Sequence, residues 1–515
     1  PSSITLVHTN DIHAHMDQFN KFGNDCTEKD IAANTCYGGA ARQRTVIDML
    51  RKRNPGNTLL FDAGDQFQGT AFYSYYKGNV TAEVMNDFKY DLMTIGNHEF
   101  DDGPEHLAKF FRKLQFPVVC ANADFSREES LRPIVKPYHY FPKHDLAVIG
   151  YITNTTKFIS SPGPNIEFYD PAPPVQKVID EIKAKGIKRI FAVSHNGYRE
   201  DMDLAARTRG LDLIVGGHSH TYLSMDPNEP GSGGLYPTKV TNLDGRTTYV
   251  VQAKAWGEYV GHLDINFGSD GHISSLNGAP IHLDQSVPEE PNTKAKVLKW
   301  REVLDAFGKV VLGEATASFD QASCQHKECD MGNLVADAML YARRSRPEVR
   351  AVILNAGGAR AGIDAGPVRV ENVNTILPFL NTLVDFDYSG KQLRQLFEDI
   401  LAKKNRESGK PITSFVQVSG IKAKFDLSRP AYDRVTELLI RKAGPITTKS
   451  PSADAFEPVQ PDTVYALSSV EYLLRGGDGF FATPPKETPL GTLAEALSDY
   501  IRAASPISPR NEGRL

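Results

Sequence analysis

The chain has 515 residues, of which 40% are hydrophobic and 23% charged, and a formal net charge of -5. That length exceeds one ordinary core, so two or more domains are expected. The acidic balance offers no basic field for nucleic acid, and no apolar run reaches the ~18 residues of a spanning helix.

The first half alternates short apolar runs with segments of helical period. Strands are predicted at Ile4–Val7, Thr58–Phe61, Leu92–Ile95, Ile190–Val193 and Leu213–Val215. Helices are predicted at Ala40–Arg53, Thr81–Phe88, Pro104–Leu114 and Val175–Lys185, where apolar residues recur every three to four positions. The pattern is that of a layered α/β fold. Pro- and Gly-rich stretches at Asp226–Tyr236 and Ser286–Asn292 read as loops. The charged, helix-compatible segment Thr293–Phe307 reads as a connector. A second α/β region follows, with a helix at Gly332–Arg344, a strand at Val349–Leu354, a helix at Lys391–Lys404 and a Gly-rich turn at Gly476–Gly479.

Each predicted strand of the first half is followed by a polar cluster. In order these are Asp11-Ile-His13, Gly64-Asp65, Gly96-Asn97-His98-Glu99-Phe100-Asp101, Ser194-His195-Asn196-Gly197 and Gly216-Gly217-His218-Ser219-His220. In α/β sheets ligands bind beyond the carboxyl ends of strands, so the clusters are expected to meet in one pocket. Their residue types bind two divalent metals side by side, a device for phosphoryl-ester hydrolysis. One ligand must bridge the ions, and Asp65, in a turn that Gly64 makes tight, is the natural bridge. Asp11 and His13 stand at i and i+2, which in an extended segment point the same way. His218 and His220 have the same spacing. Asn97 offers a side-chain carbonyl, whereas its neighbour His98 is not placed to reach the same ion. A lone histidine after a strand is more often a packing or capping residue, and D-x-H recurs by chance. The joint occurrence of the clusters, in order and each after a strand, has no such explanation. Ligands of these types fit zinc, manganese or iron.

The chain has five cysteines. Cys26 and Cys36 share one polar stretch, Cys324 and Cys329 another, and both pairs suit small local disulfides that leave Cys120 free. The alternative is five reduced thiols. The sequons Asn79-Val-Thr81 and Asn154-Thr-Thr156 favour secretion and glycosylation. A start at Pro1 fits either a removed leader or a trimmed N-terminus, and a lipid-anchor signal already removed would leave the C-terminus as it stands.

The ordered clusters resemble the calcineurin-like metallophosphoesterase superfamily. Longer words, Phe61-Asp-Ala-Gly-Asp-Gln-Phe-Gln-Gly69, Gly96–Gly103, Leu354-Asn-Ala-Gly-Gly-Ala-Arg360 and Gly476-Gly-Asp-Gly-Phe480, resemble the secreted and ecto-5′-nucleotidase family. The resemblance implies an N-terminal layered metallophosphatase domain (1–288), a β-sandwich flanked by helices. It implies a linking helix or hinge (289–307) about which the domains rotate, and a C-terminal α/β nucleotide-binding domain (308–515). It implies two divalent metals, usually zinc, one held by Asp11, His13, Asp65 and His220 and the other by Asp65, Asn97, His195 and His218. His98 and Asp101 match the catalytic dyad, and a metal-activated water would attack phosphorus in line with the leaving oxygen. Phe379 and Tyr472 match the aromatics that stack on the base, Asp478 the aspartate that accepts from the ribose hydroxyls, and Asn355 and Arg360 the phosphate contacts. From the sequence alone, Phe379 and Tyr472 would be read as core aromatics and Asp478 as a turn residue.

The implied activity is hydrolysis of nucleoside 5′-monophosphates to nucleoside and phosphate. In two places the chain departs from the animal ecto-enzymes, with Gln325 and His15 standing where those carry arginine. The loss of permanent positive charge leaves room for an apyrase, a nucleotide-sugar hydrolase or a cyclic phosphodiesterase on the same site. A nucleotide-sequestering protein without catalysis is a different class. It would be free to lose ligands or the dyad, and all are present.

Overall fold

Chain order gives β1 (Ser3–Thr9), β2 (Thr58–Asp62), β3 (Leu92–Thr94), β4 (Val118–Val119), β5 (Tyr138–Phe141) and β6 (Leu146–Ile152). Next come β7 (Arg189–His195), β8 (Leu213–Val215), β9 (Thr238–Thr241), β10 (Thr247–Val251), β11 (Tyr259–Phe267) and β12 (Ile273–Asn277). These strands, in a computed structural model of the chain, build two sheets. One has the order β12-β11-β1-β2-β3-β4 and the other β9-β10-β8-β7-β6-β5. The described residues are 2–515 apart from 21, 22, 24, 378, 380, 450–454, 483, 484 and 486. By internal contacts the chain falls into two units, Pro1–Leu304 and Asp305–Leu515.

Strand periodicity explains how the sheets pack. Successive side chains point to opposite faces. Leu6, Leu59, Phe61 and Val119 therefore join the core shared with the second sheet. Their neighbours Val7, Leu60 and Val118 join another core on the opposite face. That outer face is covered by helices α1 (Ala40–Arg53), α2 (Asn79–Asp87) and α3 (Pro104–Phe111), which contribute Ile47, Leu50, Met85, Leu107 and Phe110. Helices α4 (Ala172–Ala184) and α5 (Tyr198–Arg207) cover the second sheet through Val175, Ile179, Ile182 and Leu204. All seven residues of β6 are buried, because a sheet covered on both faces needs an unbroken apolar strand.

The central strands run parallel: β1 with β2, β2 with β3, β6 with β7, and β7 with β8. Their carboxyl ends consequently fall on one edge of each sheet, and every polar cluster leaves from such an end. This is the mechanical reason that residues from His13 to His220 can meet.

The connector is longer than the spacing suggests. Helix α6 runs Pro291–Gly308, so the second loop stops before Asn292. Proline suits a first helical turn, where its missing N–H costs nothing. The Glu290 carboxylate accepts from the Asn292 and Thr293 N–H groups at 3.1 and 2.7 Å, capping donors with no intrahelical partner. Among the described residues, no helix is long and apolar enough to cross a membrane.

In the second unit, Val349–Asn355 lies between Val416–Ser419 and Val464–Val470 in a five-stranded sheet. The sheet shares a core with helices α7 (Asp330–Tyr341), α8 (Gly390–Ala402) and α9 (Leu493–Ala504). A capping box at Ser389 and Gln392 starts α8. The protein is thus α/β throughout. Cys26 pairs with Cys36 and Cys324 with Cys329, while Cys120 is free and buried.

Candidate metal centre and nucleotide-binding residues

Asp11 and His13 do not lie in extended backbone, as their spacing suggested. Their φ angles are 52° and 49°, in the left-handed region. The reason is pairing between loops. The Asp11, His13 and Ala14 N–H groups donate to the carbonyls of Gly64, Asp65 and Gln66 at 2.9 to 3.0 Å, which turns the chain back beyond β1. His218 and His220 also have positive φ, 74° and 53°, and they do not share a side. His220 groups with Asp11 and His13, and His218 with Asp65 and His195; within each group the ligand atoms lie within 4.8 Å of one another.

The two groups adjoin. Asp65 Oδ2 lies 3.0 Å from His195 Nε2 and 3.8 Å from His13 Nε2. Asp11 Oδ1 lies 3.2 Å from His220 Nε2. The imidazoles are oriented from behind. His13 Nδ1 faces the Phe67 carbonyl at 2.9 Å and His195 Nδ1 the Ala63 carbonyl at 2.7 Å. A carbonyl only accepts, so each Nδ1 carries a proton and Nε2 is the atom each ring turns to the cluster. Burial pushes the His13 pKa down to about 3. Burial acts likewise on His195, but the Asp65 and Asp11 carboxylates outweigh it and raise that pKa to about 9.

This donor set fits divalent cations. Asp11, Asp65, His13 and His195 are buried, and buried carboxylates of one sign need a counter-charge. Asn97 Oδ1 is also buried and has no hydrogen-bond partner among the described residues, although an orphaned acceptor is costly unless something occupies it.

Asn97 and His98 follow β3. The His98 N–H donates to Asp65 Oδ1 at 2.9 Å, and His98 Nδ1 meets Asp101 Oδ2 at 2.7 Å. The His98 ring centroid is 5.3 Å from that of His13. Close approach is enforced at Gly96, where a Cβ would stand 2.2 Å from Asp65 Oδ1. It is enforced again at Gly69 (φ 126°), where a Cβ would meet the His13 carbonyl oxygen at 1.9 Å.

Two residues that shape this centre have no assigned role in the sequence reading. Glu99 lies within the quoted motif, but only its neighbours looked chemical. Its carboxylate is fully buried and accepts four backbone N–H groups. Asp65 and Gly96 donate to Oε2 at 2.9 and 2.6 Å, and Gln66 and Phe67 to Oε1 at 2.7 and 3.1 Å. Burial and the nearby Asp65 nonetheless push its pKa up to about 7. An acidic residue directly before a core phenylalanine was the available signal. Asn10 donates from Nδ2 to Asp11 Oδ2 at 2.7 Å and accepts the Ala253 N–H at 2.9 Å; nothing in the sequence marked it.

In the second unit, Asn355 ends a strand and Asp478 sits in the Gly-rich turn with φ 51°. Asn355 Nδ2 donates to Asp478 Oδ2 at 2.7 Å. The Tyr472 and Thr413 hydroxyls donate to Asp478 Oδ1 at 3.2 and 2.8 Å. Tyr472 is 47% exposed and Phe379 half-buried, so neither is a core aromatic. The exposed Arg360 guanidinium lies 5.7 Å from the Phe379 ring centroid, within cation–π range. Gln325 accepts the Phe415 N–H at 3.3 Å. His15 is buried, stacked on Trp256, with its ring nitrogens facing the Ile12 and Gly23 carbonyls at 3.0 and 2.9 Å. It is a packing residue.

Comparison with known proteins places this geometry. Residues 4–222 match the calcineurin-like phosphoesterase family and residues 311–484 the 5′-nucleotidase C-terminal domain family. A human 5′-nucleotidase is 36% identical over 533 aligned residues, covering 99% of this chain and 90% of the human one. The chain belongs to the 5′-nucleotidase family. A snake venom 5′-nucleotidase from Naja atra is 33% identical, covering 99% of this chain and 98% of its own. Among solved structures, a 5′-nucleotidase precursor from Thermus thermophilus is 34% identical with a TM-score of 0.65, covering 99% of this chain and 98% of that one. The Haemophilus influenzae NAD nucleotidase shares the fold, with a TM-score of 0.76 at 23% identity over 99% of this chain and 97% of that one. As a 5′-nucleotidase family member with a metallophosphoesterase domain, the protein is a metal-dependent phosphoric ester hydrolase. The family implies two divalent metals, for which the two groups above are the candidate ligands.

Proposed function

We propose that this protein hydrolyses nucleoside 5′-monophosphates to nucleoside and phosphate. The observation that carries the reading is the adjacency of the two three-residue ligand groups, with Asp65 between His13 and His195 and the His98–Asp101 pair beside them. Asp11, His13, Asp65 and His220 would hold one cation, and Asp65, Asn97, His195 and His218 the other, zinc being the first candidate and manganese the second. When bound, the cations supply Lewis acidity to the phosphoryl oxygens and ease deprotonation of water. Asp101 accepts from His98 Nδ1–H and stabilises the positively charged ring, whose Nε2–H would donate to a phosphoryl oxygen as charge develops there. Gly96 and the left-handed turns at Asp11 and His13 hold these groups before substrate arrives, so little reorganisation is needed during reaction.

In the second unit, Asp478 would accept from the ribose hydroxyls, Phe379 and Tyr472 would stack on the base, and Asn355 and Arg360 would meet the phosphate. The proposed division is catalytic 1–288, linking 289–307 and nucleotide-binding 308–515. The two disulfides and the exposed sequon residues Asn79 and Asn154 support an extracellular, glycosylated protein.

Phosphate release from AMP, ADP, ATP, UDP-glucose and 2′,3′-cyclic AMP, measured with metal content on one sample, tests the reading. AMP is expected to be the fastest substrate. Undetectable AMP turnover beside fast ATP turnover would replace it with an apyrase-like reading, to which the neutral Gln325 side chain lends itself.

Tyr472→Ala is expected to raise KM for AMP about tenfold, the loss of ~1–3 kcal/mol of base stacking, with kcat changed less than about twofold. Initial rates across AMP concentrations check this. An unchanged KM would remove Tyr472 from the binding site.

A further inference from the structure

Ser160 belongs to none of the sequence motifs, yet it touches the site. It follows the short helix Thr156–Ile159, and its Oγ donates to Asp101 Oδ1 at 2.6 Å. The other oxygen, Asp101 Oδ2, is the one that meets His98 Nδ1 at 2.7 Å. Both oxygens of this carboxylate are therefore engaged, by donors from two separate loops. The serine's own loop is fixed to the metal centre, because the Thr153 N–H donates to the His195 carbonyl at 2.8 Å. The Thr156 hydroxyl then closes the turn on the Thr153 carbonyl at 2.7 Å. A carboxylate bonded on one oxygen alone can swing about its Cβ–Cγ bond and carry the imidazole with it. A second donor on the other oxygen removes that freedom.

We propose that Ser160 is a positioning residue for phosphoryl transfer. It locks the Asp101 carboxylate so that His98 keeps its proton on Nδ1 and presents Nε2 in one orientation. The inference rests on the reading of His98 and Asp101 as the catalytic pair. A hydroxyl can only donate to an ionised carboxylate, so the direction of this bond is set by chemistry. Threonine retains the hydroxyl and alanine does not.

The test uses the metal-loaded, full-length protein and compares Ser160→Ala, Ser160→Thr, His98→Ala and the Ser160→Ala/His98→Ala double variant. For Ser160→Ala, kcat is expected to fall about tenfold, the low end of the cost of removing a supporting partner. KM and metal content should stay within about twofold, and threonine should restore most of the rate. In the His98→Ala background, Ser160→Ala should cost nothing further, since residues acting as one unit are not additive. A wild-type kcat for Ser160→Ala beside an impaired His98→Ala would overturn the role of Ser160 alone. A loss of the same size in both backgrounds would also overturn it, showing a loop anchor that acts without the dyad. Full activity of His98→Ala would refute the dyad itself, and the inference with it.

Discussion

Replacing Asp65 with asparagine is expected to lower kcat by about three orders of magnitude and to leave the protein short of metal. The carboxylate stands 3.0 Å from His195 Nε2 and 3.8 Å from His13 Nε2, nearer to His195 than the 3.9 Å of Asp11 Oδ1, so it is placed to serve both ligand groups. Asparagine keeps the volume and one oxygen, so it can still accept the His98 N–H. Its amide nitrogen, however, would point donors towards imidazole nitrogens, and one negative charge is gone. Charge stabilisation of a phosphoryl transition state by bound metal is worth several kcal/mol, and ~4 kcal/mol is roughly a thousandfold. Metal analysis and steady-state rates on the same preparation decide the matter. A variant that keeps two equivalents of metal and the wild-type rate would refute the bridging role. The same logic applies to chelation. Stripping metal leaves the buried carboxylates of Asp11 and Asp65 without counter-charge, and a ligand present at 1,000 times its Kd contributes ~4 kcal/mol. Chelator should therefore lower Tm by about 10 °C in the wild type, and by much less in Asp65→Asn.

The architecture of this centre was readable in the sequence because each ligand cluster is tied to a strand end. Parallel strands with their carboxyl ends on one edge leave little choice about where Asp11, Asp65, Asn97, His195 and His218 go. The α/β class followed from the same alternation, since the apolar runs at Leu59–Phe61 and Ile190–Val193 are too short and continuous for surface helices. What the sequence hid was backbone conformation. Spacing of i and i+2 implied that His218 and His220 share a side. The left-handed φ at both residues sends them to different ligand groups, a division that the family resemblance implied and the i, i+2 spacing did not. It also hid bonds to backbone, because a motif names a side chain and not its partner. His15 read as a lost arginine facing the substrate, but its partners are two main-chain carbonyls and Trp256. In the second unit, Asn355 and Asp478 stand 123 residues apart, and only the fold shows that they share a hydrogen bond.

Glu99 is the sharpest case of a hidden backbone partner, and Glu99→Gln is expected to destabilise the first unit by about 3 kcal/mol. Each carboxylate oxygen accepts two N–H groups, from Asp65 and Gly96 on one side and from Gln66 and Phe67 on the other. Glutamine can present one oxygen. Its amide nitrogen must then face two donors with two donors of its own, so a pair of buried N–H groups loses its acceptor. No rotation of the side chain relieves this, because the alternative rotamer orphans the other pair. The affected groups are the main chain of Asp65, the proposed bridge, and of Gly96 packed against it, so the loss is expected to reach metal binding. For a unit of this size, ~3 kcal/mol corresponds to a drop in Tm of roughly 6–10 °C. Thermal unfolding with and without chelator measures both consequences. The metal-free proteins should differ by nearly the full clamp energy, and the metal-loaded ones by more, because the variant also binds its cations less tightly. Equal melting temperatures in both conditions would show that the four hydrogen bonds can be re-formed elsewhere, and would deny Glu99 the role of joining the two ligand loops.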